Sequence, residues 1–330
     1  MAKRQKPKQN KKNNRLFEFI SFAFIVTCLF IGLKGYTEGS NSLTFAQISD
    51  VHYSSLYKAD TGYRMLVESG DLLKDAIEQV NAVPDVDFVM FTGDMINTPS
   101  KDELYKFLDI VKTINAPWYA VFGNHDISIG GYLSKENYLT ILRENNPNMM
   151  LNAPKPYYAF EPKPGFKVIG LDTIIDNRLT SNGNLYDEEL KFLDNEIANA
   201  KDDVILVFMH GPILEPLHSP SHSTINADKA MAIFKKYNNP IGVFTGHYHT
   251  TKITKKDNVL YVCTPAMISY PDAFRIINVK KDDKIAIFDI KFMETNLKEV
   301  QAKAKSVAFG ARIYYGASND RSSVYTIEKK

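Results

Sequence analysis

From residue 43 onward, short apolar runs alternate with amphipathic stretches, and several of the runs stop abruptly at polar clusters. Residues 44–49 read as a strand ending at Asp50-Val51-His52, and residues 88–91 as a strand ending at Thr92-Gly93-Asp94. The aromatic and β-branched run 118–122 ends at Gly123-Asn124-His125-Asp126. The fully apolar run 204–209, typical of a buried strand, ends at His210-Gly211-Pro212, and 241–245 ends at Gly246-His247-Tyr248-His249. Between them, Leu66, Leu72, Leu73, Ala76, Ile77 and Val80 predict a helix in the second half of 63–83. Helical patterns follow at 101–114, stopped before Pro117, and at 227–237. Asp187 is placed to cap a helix carrying Leu190, Leu193 and Ile197 on one face. Residues 166–172 read as a strand, the Asn- and Pro-rich stretch 145–164 as an irregular excursion, and 213–225 as a loop. Runs at 259–264, 273–279 and 285–290 read as strands of a second sheet, and 296–306 as helical. Strands alternating with helices predict an α/β body over 43–330, without an internal repeat or domain boundary.

The N-terminal pattern differs. Residues 1–15 are basic and polar, and 16–33 form an apolar run whose only charge is Glu18. A bilayer span takes about 17–25 apolar residues, so 16–33 is expected to be a transmembrane helix. The basic flank keeps the terminus cytoplasmic and puts the body on the far side of a cell membrane, reached through the linker 34–42. The alternative is a signal peptide cleaved near Thr37-Glu38-Gly39, which gives a secreted protein.

Charge follows the same division. The chain sums to +2, residues 1–34 carry eight basic residues against Glu18, or +7, and the remainder therefore sums to −5. An acidic body makes nucleic acid an unfavoured partner. Two cysteines, Cys28 and Cys263, suggest neither a disulfide framework nor a thiolate metal site. Histidine is the informative residue, because five of the seven sit in the strand-end clusters. Polar groups at the carboxyl ends of strands in an open α/β sheet converge on one rim. Mixed imidazole, carboxylate and amide donors suit divalent Mn, Fe, Zn or Ni.

The ordered blocks Asp50-x-His52, Gly93-Asp94, Gly123-Asn124-His125-Asp126, His210 and Gly246-His247-x-His249 resemble the calcineurin-like metallophosphoesterases over roughly residues 43–265. The resemblance implies two mixed sheets packed as a sandwich and flanked by helices. It also implies two divalent metal ions, one taken by Asp50, His52 and His249, the other by Asn124, His210 and His247, with Asp94 bridging. Such a pair acidifies water as the nucleophile and clamps the phosphoryl oxygens. His125 then stays off the metals and either protonates the leaving alkoxide or stabilises its charge, with Asp126 orienting its ring. Gly93-Asp94-Met95-Ile96-Asn97 and the closing Asp126 look like the cyclic-nucleotide and glycerophosphodiester phosphodiesterase branch, although Gly211-Pro212 after His210 departs from it.

The expected substrate is a small phosphodiester. Rival substrates are a phosphomonoester, a pyrophosphate or a lipid headgroup; from another class comes a catalytically silent surface binding protein. The loop 213–224 is either a plain surface loop or a lid that brings His218 or His222 to the substrate.

Overall fold

In the computed structural model, residues 41–60, 62–127 and 133–330 are described. The apolar runs become β1 (Ser42–Ile48), β2 (Phe88–Thr92) and β3 (Trp118–Val121), which pair in parallel. Three antiparallel strands, β10 (Ala273–Lys281), β11 (Ile285–Glu294) and β12 (Ser323–Glu328), extend this first sheet, in the order β12-β11-β10-β1-β2-β3. The second sheet is formed by β4 (Tyr158–Lys163), β5 (Phe166–Gly170), β6 (Val204–Phe208), β7 (Ile241–Thr245), β8 (Lys252–Lys256) and β9 (Val259–Cys263). Its order is β4-β5-β6-β7-β9-β8, with parallel strands inside and antiparallel ones at both edges.

Period-two alternation decides what each strand face buries. Phe45 and Phe88 of the first sheet meet Phe208 and Phe244 of the second, with ring centroids 5.1–6.0 Å apart. Each such side chain contributes about 1.5–3 kcal/mol on burial, so this aromatic layer holds the sandwich together. Phe91, one pleat on, faces outward and meets Phe107 of α2 (Lys101–Val111) at 5.5 Å. The N-terminal turn of α2 is capped by Ser100, whose hydroxyl accepts from the Glu103 amide. Its neighbour α1 (Ser69–Asn81) buries Leu72, Leu73, Ala76, Ile77 and Val80. On the other side, α4 (Asp187–Asn199) and α5 (Ala227–Phe234) cover the outward residues Ile169, Ile205, Val207, Ile241 and Val243 of the second sheet.

A buried amide bridges the sheets beneath the rim. The Gln47 amide donates to Thr92 Oγ1 and to the Thr245 carbonyl, both at 3.1 Å, and accepts from Thr264 Oγ1 at 2.6 Å. With every group of the amide partnered, this buried residue fixes how the ends of β1, β2 and β7 sit against one another, directly beneath the polar clusters.

Several expectations change. Residues 145–164 are not irregular throughout. The end of α3 (Lys135–Asn145), a 3₁₀ turn at Pro147–Met150 and the edge strand β4 occupy much of the stretch. The strands expected to share a second sheet divide, β9 joining one sheet and β10 and β11 the other. Asp187 is the first residue of α4, and Tyr186 holds the cap position. The expected membrane span at 16–33 lies outside the described residues, among which no helix is long and apolar enough to cross a membrane.

Candidate metal centre

Five strand ends, three from the first sheet and two from the second, meet at the same rim. Their loops interlock through the backbone: the amides of Asp50 and His52 donate to the carbonyls of Gly93 and Asp94, and the Gly246 amide donates to the His210 carbonyl. Asp50, His52, Asp94, His247 and His249 all have φ between 43° and 72°. Asp and His tolerate this left-handed region better than bulky or β-branched residues, but at a cost that surrounding contacts must offset. Each chain thereby turns sharply at its strand end and presents its side chain inward.

The donor atoms of Asp50, His52, Asp94 and His249 lie within 4.8 Å of one another, as do those of Asp94, His210 and His247. Asp94 therefore belongs to both groups. His52 Nε2 is 3.2 Å from His249 Nε2, and His210 Nε2 is 3.0 Å from His247 Nδ1. Asn124 Oδ1 joins the second group at 3.3 Å from His210 Nε2. The outer nitrogen of His210 faces the Thr92 carbonyl at 2.8 Å, which can only accept, so Nδ1 carries a proton and Nε2 is left to ligate. His52 Nδ1 and His247 Nε2 are buried without a hydrogen-bond partner.

The electrostatics show what the site wants. Burial opposes ionisation of Asp50 and Asp94, yet His249 holds the first below its ordinary pKa, and His210, His125 and His52 hold the second well below. Burial also opposes a charge on His210, but Asp94 raises it to about 9. Burial pushes His247 down to about 3, helped by the charge of His210, and His52 well below its usual value. Two ionised carboxylates thus face imidazoles that cannot all hold protons at these separations. Divalent cations would take the inward lone pairs of both groups at once, with Asp94 common to the two, so the residues fit a two-metal centre.

His125 stands at the open side, half-buried, with its ring edge-on to His52 at a centroid distance of 4.6 Å. Its amide donates to Asp94 Oδ1 at 2.8 Å, and its Nδ1 lies 3.1 Å from the Asn97 carbonyl. Asp126 does something other than expected. Its carboxylate accepts from the amides of Met95, Ile96 and Gly123 at 2.8–3.1 Å, which ties the loop after β2 to the loop after β3. The ring of His125 is oriented by Asn97 rather than Asp126, because the aspartate's oxygens are taken up by backbone donors.

Sequence reasoning also missed Asn97 and Arg64. Arg64 Nη1 donates to Asn97 Oδ1 at 3.2 Å, and Nη2 lies 3.5 Å from His125 Nε2. Asn97 stood in the Gly93–Asn97 block but without a role; Arg64 lies in a stretch with no periodicity to flag it. Of the two loop histidines, His222 reaches the rim with its ring 5.0 Å from that of His247, whereas His218 is exposed beside Glu215.

The family model for calcineurin-like phosphoesterases matches residues 43–251. The chain belongs to this family. A probable glycerophosphodiester phosphodiesterase GpdQ of Arcobacter nitrofigilis is 27% identical over 242 residues, covering 72% of this chain and 82% of the relative. A probable cyclic nucleotide phosphodiesterase of Colwellia psychrerythraea is 25% identical over 251 residues, covering 71% and 85%. Among solved structures, a dimetal phosphatase from Danio rerio superposes with a TM-score of 0.61 at 16% identity, covering 77% of this chain and 99% of that one, so the fold is shared. This phosphoesterase therefore resembles the branch anticipated from its motifs. It is a hydrolase of phosphoester bonds that uses two divalent metal ions.

Proposed function

We propose that this enzyme hydrolyses a small phosphodiester at the rim of the two sheets. Asp50, His52 and His249 would hold one divalent ion, Asn124, His210 and His247 the other, and Asp94 would serve both. The observation that carries this reading is the convergence of these seven side chains at one opening, with His125 half-buried beside them. Bound there, the two ions supply Lewis acidity, acidifying water and offsetting phosphoryl charge.

The protein's own groups do the rest. Asn124 brings a neutral oxygen, which leaves more positive charge for the substrate than a third carboxylate would. Thr92 and Ser269 face the outer nitrogens of His210 and His249, at 2.8 and 3.3 Å, and hold those rings inward. As water adds to phosphorus and the ester bond breaks, the electron pair passes to the leaving oxygen; His125, whose Nδ1–H is held by the Asn97 carbonyl, takes a solvent proton at Nε2 beforehand and delivers it there, while the water's own proton passes to solvent. The diester preference is supported by the names of the relatives in Arcobacter nitrofigilis and Colwellia psychrerythraea.

The proposal includes an anchor. The apolar run 16–33 after a basic terminus supports a single membrane span with the body outside the cytoplasm. Cell fractionation with added protease tests it: membrane-bound, externally degraded protein is expected, and a shortened soluble form in the medium would indicate signal cleavage instead. For the activity, the full-length chain loaded with Mn²⁺ is offered bis(4-nitrophenyl) phosphate and 4-nitrophenyl phosphate. Faster turnover of the diester is expected. Turnover of the monoester alone would reverse the substrate class, and no turnover with two metal equivalents bound would favour a silent binding protein.

A further inference from the structure

Arg64 is a cation aimed at a site built for cations. It lies between β1 and α1, half-buried, and among the described residues no carboxylate pairs with it. Its guanidinium is instead fixed by a neutral acceptor, Asn97 Oδ1 at 3.2 Å, so that Nη2 points to His125 Nε2 at 3.5 Å. Asn97 itself is buried, its amide donates to the Tyr53 carbonyl at 3.0 Å, and its own carbonyl faces His125 Nδ1. One rigid residue therefore sets both the acid and the arginine. The Tyr63 ring flanks the guanidinium at 5.8 Å and the His249 ring at 5.8 Å, closing the other side.

A permanent positive charge beside two divalent ions is repelled unless an anion lies between them. A guanidinium cannot accept a hydrogen bond and cannot release its proton, so its contact with His125 Nε2 is a resting arrangement, not a proton relay. A phosphoryl group held at the metals would turn non-bridging oxygens to the same opening. We propose that Arg64 is a catalytic residue of this phosphoesterase, donating from its guanidinium to a non-bridging phosphoryl oxygen on the His125 side, with Asn97 as the residue that positions it. Arg64 exchanges no proton; it turns from His125 Nε2 to the phosphoryl oxygen and frees that lone pair to take up a solvent proton for the leaving oxygen. This rests on the phosphoester reading above but not on the choice between diester and monoester.

Full-length wild type, Arg64→Gln, Arg64→Lys, Asn97→Ala and the Asn97→Ala/Arg64→Gln double variant are loaded with Mn²⁺. Metal content, thermal midpoint, inorganic phosphate affinity by calorimetry and diester kinetics are measured on each. Arg64→Gln is expected to keep both metals and its thermal midpoint, while phosphate affinity and kcat/KM each fall about 10- to 100-fold, as for loss of a hydrogen bond to a charged group. Arg64→Lys recovers part of the loss, because the charge remains without the fork. Asn97→Ala loses less than Arg64→Gln, and the double variant no more than Arg64→Gln alone; additive losses would remove Asn97 from the proposal. Unchanged phosphate affinity and turnover in Arg64→Gln would overturn it, and so would loss of metal, which would make Arg64 part of the centre's framework. If wild type hydrolyses no diester yet binds phosphate in an Arg64-dependent way, the substrate reading fails and the assignment of Arg64 stands.

Discussion

At the scale of single residues, neighbours in sequence divide the labour. Asn124 and His125 follow one another, yet one faces His210 among the donors and the other faces Asn97 and Arg64 at the opening. Asn124→Ala is expected to lower metal content, whereas His125→Ala keeps the metals and loses about 10²- to 10⁴-fold in turnover. Metal analysis beside steady-state kinetics separates them, and equal metal loss in both variants would sink the division of roles. Asp272 offers a residue-scale test of stability. Its carboxylate is buried, neither oxygen has a hydrogen-bond partner, and burial, then Glu68 and Glu294, raise its pKa to about 7. The folded state thus holds a proton that the unfolded state releases near pH 3.8. The stability tied to that proton is fully present below about pH 4 and is lost as pH rises through about 7. Asp272→Asn removes the ionising group, so its thermal midpoint relative to wild type should climb between pH 4 and 8. A constant difference across that range would show that the carboxylate does not titrate there.

At the scale of elements, the site depends on how closely strand ends approach. A Cβ on Gly123 would collide with the Asp94 amide and its Oδ1, and one on Gly246 with Ser49 Oγ and Asp50 Oδ2. Gly123→Ala must therefore move the shared carboxylate, or the loop that carries it. We expect it to lose metal and to destabilise the fold by about 1–3 kcal/mol, as overpacking does. Denaturant titration and metal analysis check both, and retention of two metals would show that the loop yields without disturbing Asp94. This closeness explains what was legible in the sequence. Central strands such as β6 are apolar along their length and stop at a glycine or histidine, so they and their clusters stand out. The edge strands β8 and β12 do not: they read Lys-Ile-Thr-Lys-Lys and Ser-Val-Tyr-Thr-Ile-Glu, half solvated and charged as exposed edges tend to be. Which sheet β10 and β11 join is set by pairing with distant β1, and no local pattern encodes it. Asp126 was misread for a similar reason. Its partners are main-chain amides, two of them some thirty residues away in sequence, and an amide carries no residue-type signal.

At the scale of the whole molecule, the chain beyond residue 251, where the family match ends, is bound into the metal site. Immediately after His249, the Thr250 hydroxyl donates to the Ile313 carbonyl at 2.8 Å, and the Thr251 amide and hydroxyl donate to the Tyr314 carbonyl at 3.0 and 2.7 Å. These carbonyls belong to α6 (Ala311–Tyr315). The next turn, α7 (Ser318–Arg321), is held from both sheets. Asp320 Oδ1 accepts from the Ile253 amide of β8 at 3.1 Å, while buried Arg275 of β10 donates to the carbonyls of Asp320 and Arg321 at 2.8 and 2.6 Å. The C-terminal turns thus clasp the two sheets at the point where the His249 loop leaves β7. Arg275→Met should strand these carbonyls in the interior and cost about 3 kcal/mol. Removing residues 308–330 takes away the whole clasp, and the metal group of Asp50, His52 and His249 is then expected to weaken before that of Asn124, His210 and His247. Metal titration of the truncated chain, followed by melting, reads this order directly. Two full equivalents bound at wild-type affinity would reduce the C-terminal segment to a cover for the edge of the first sheet.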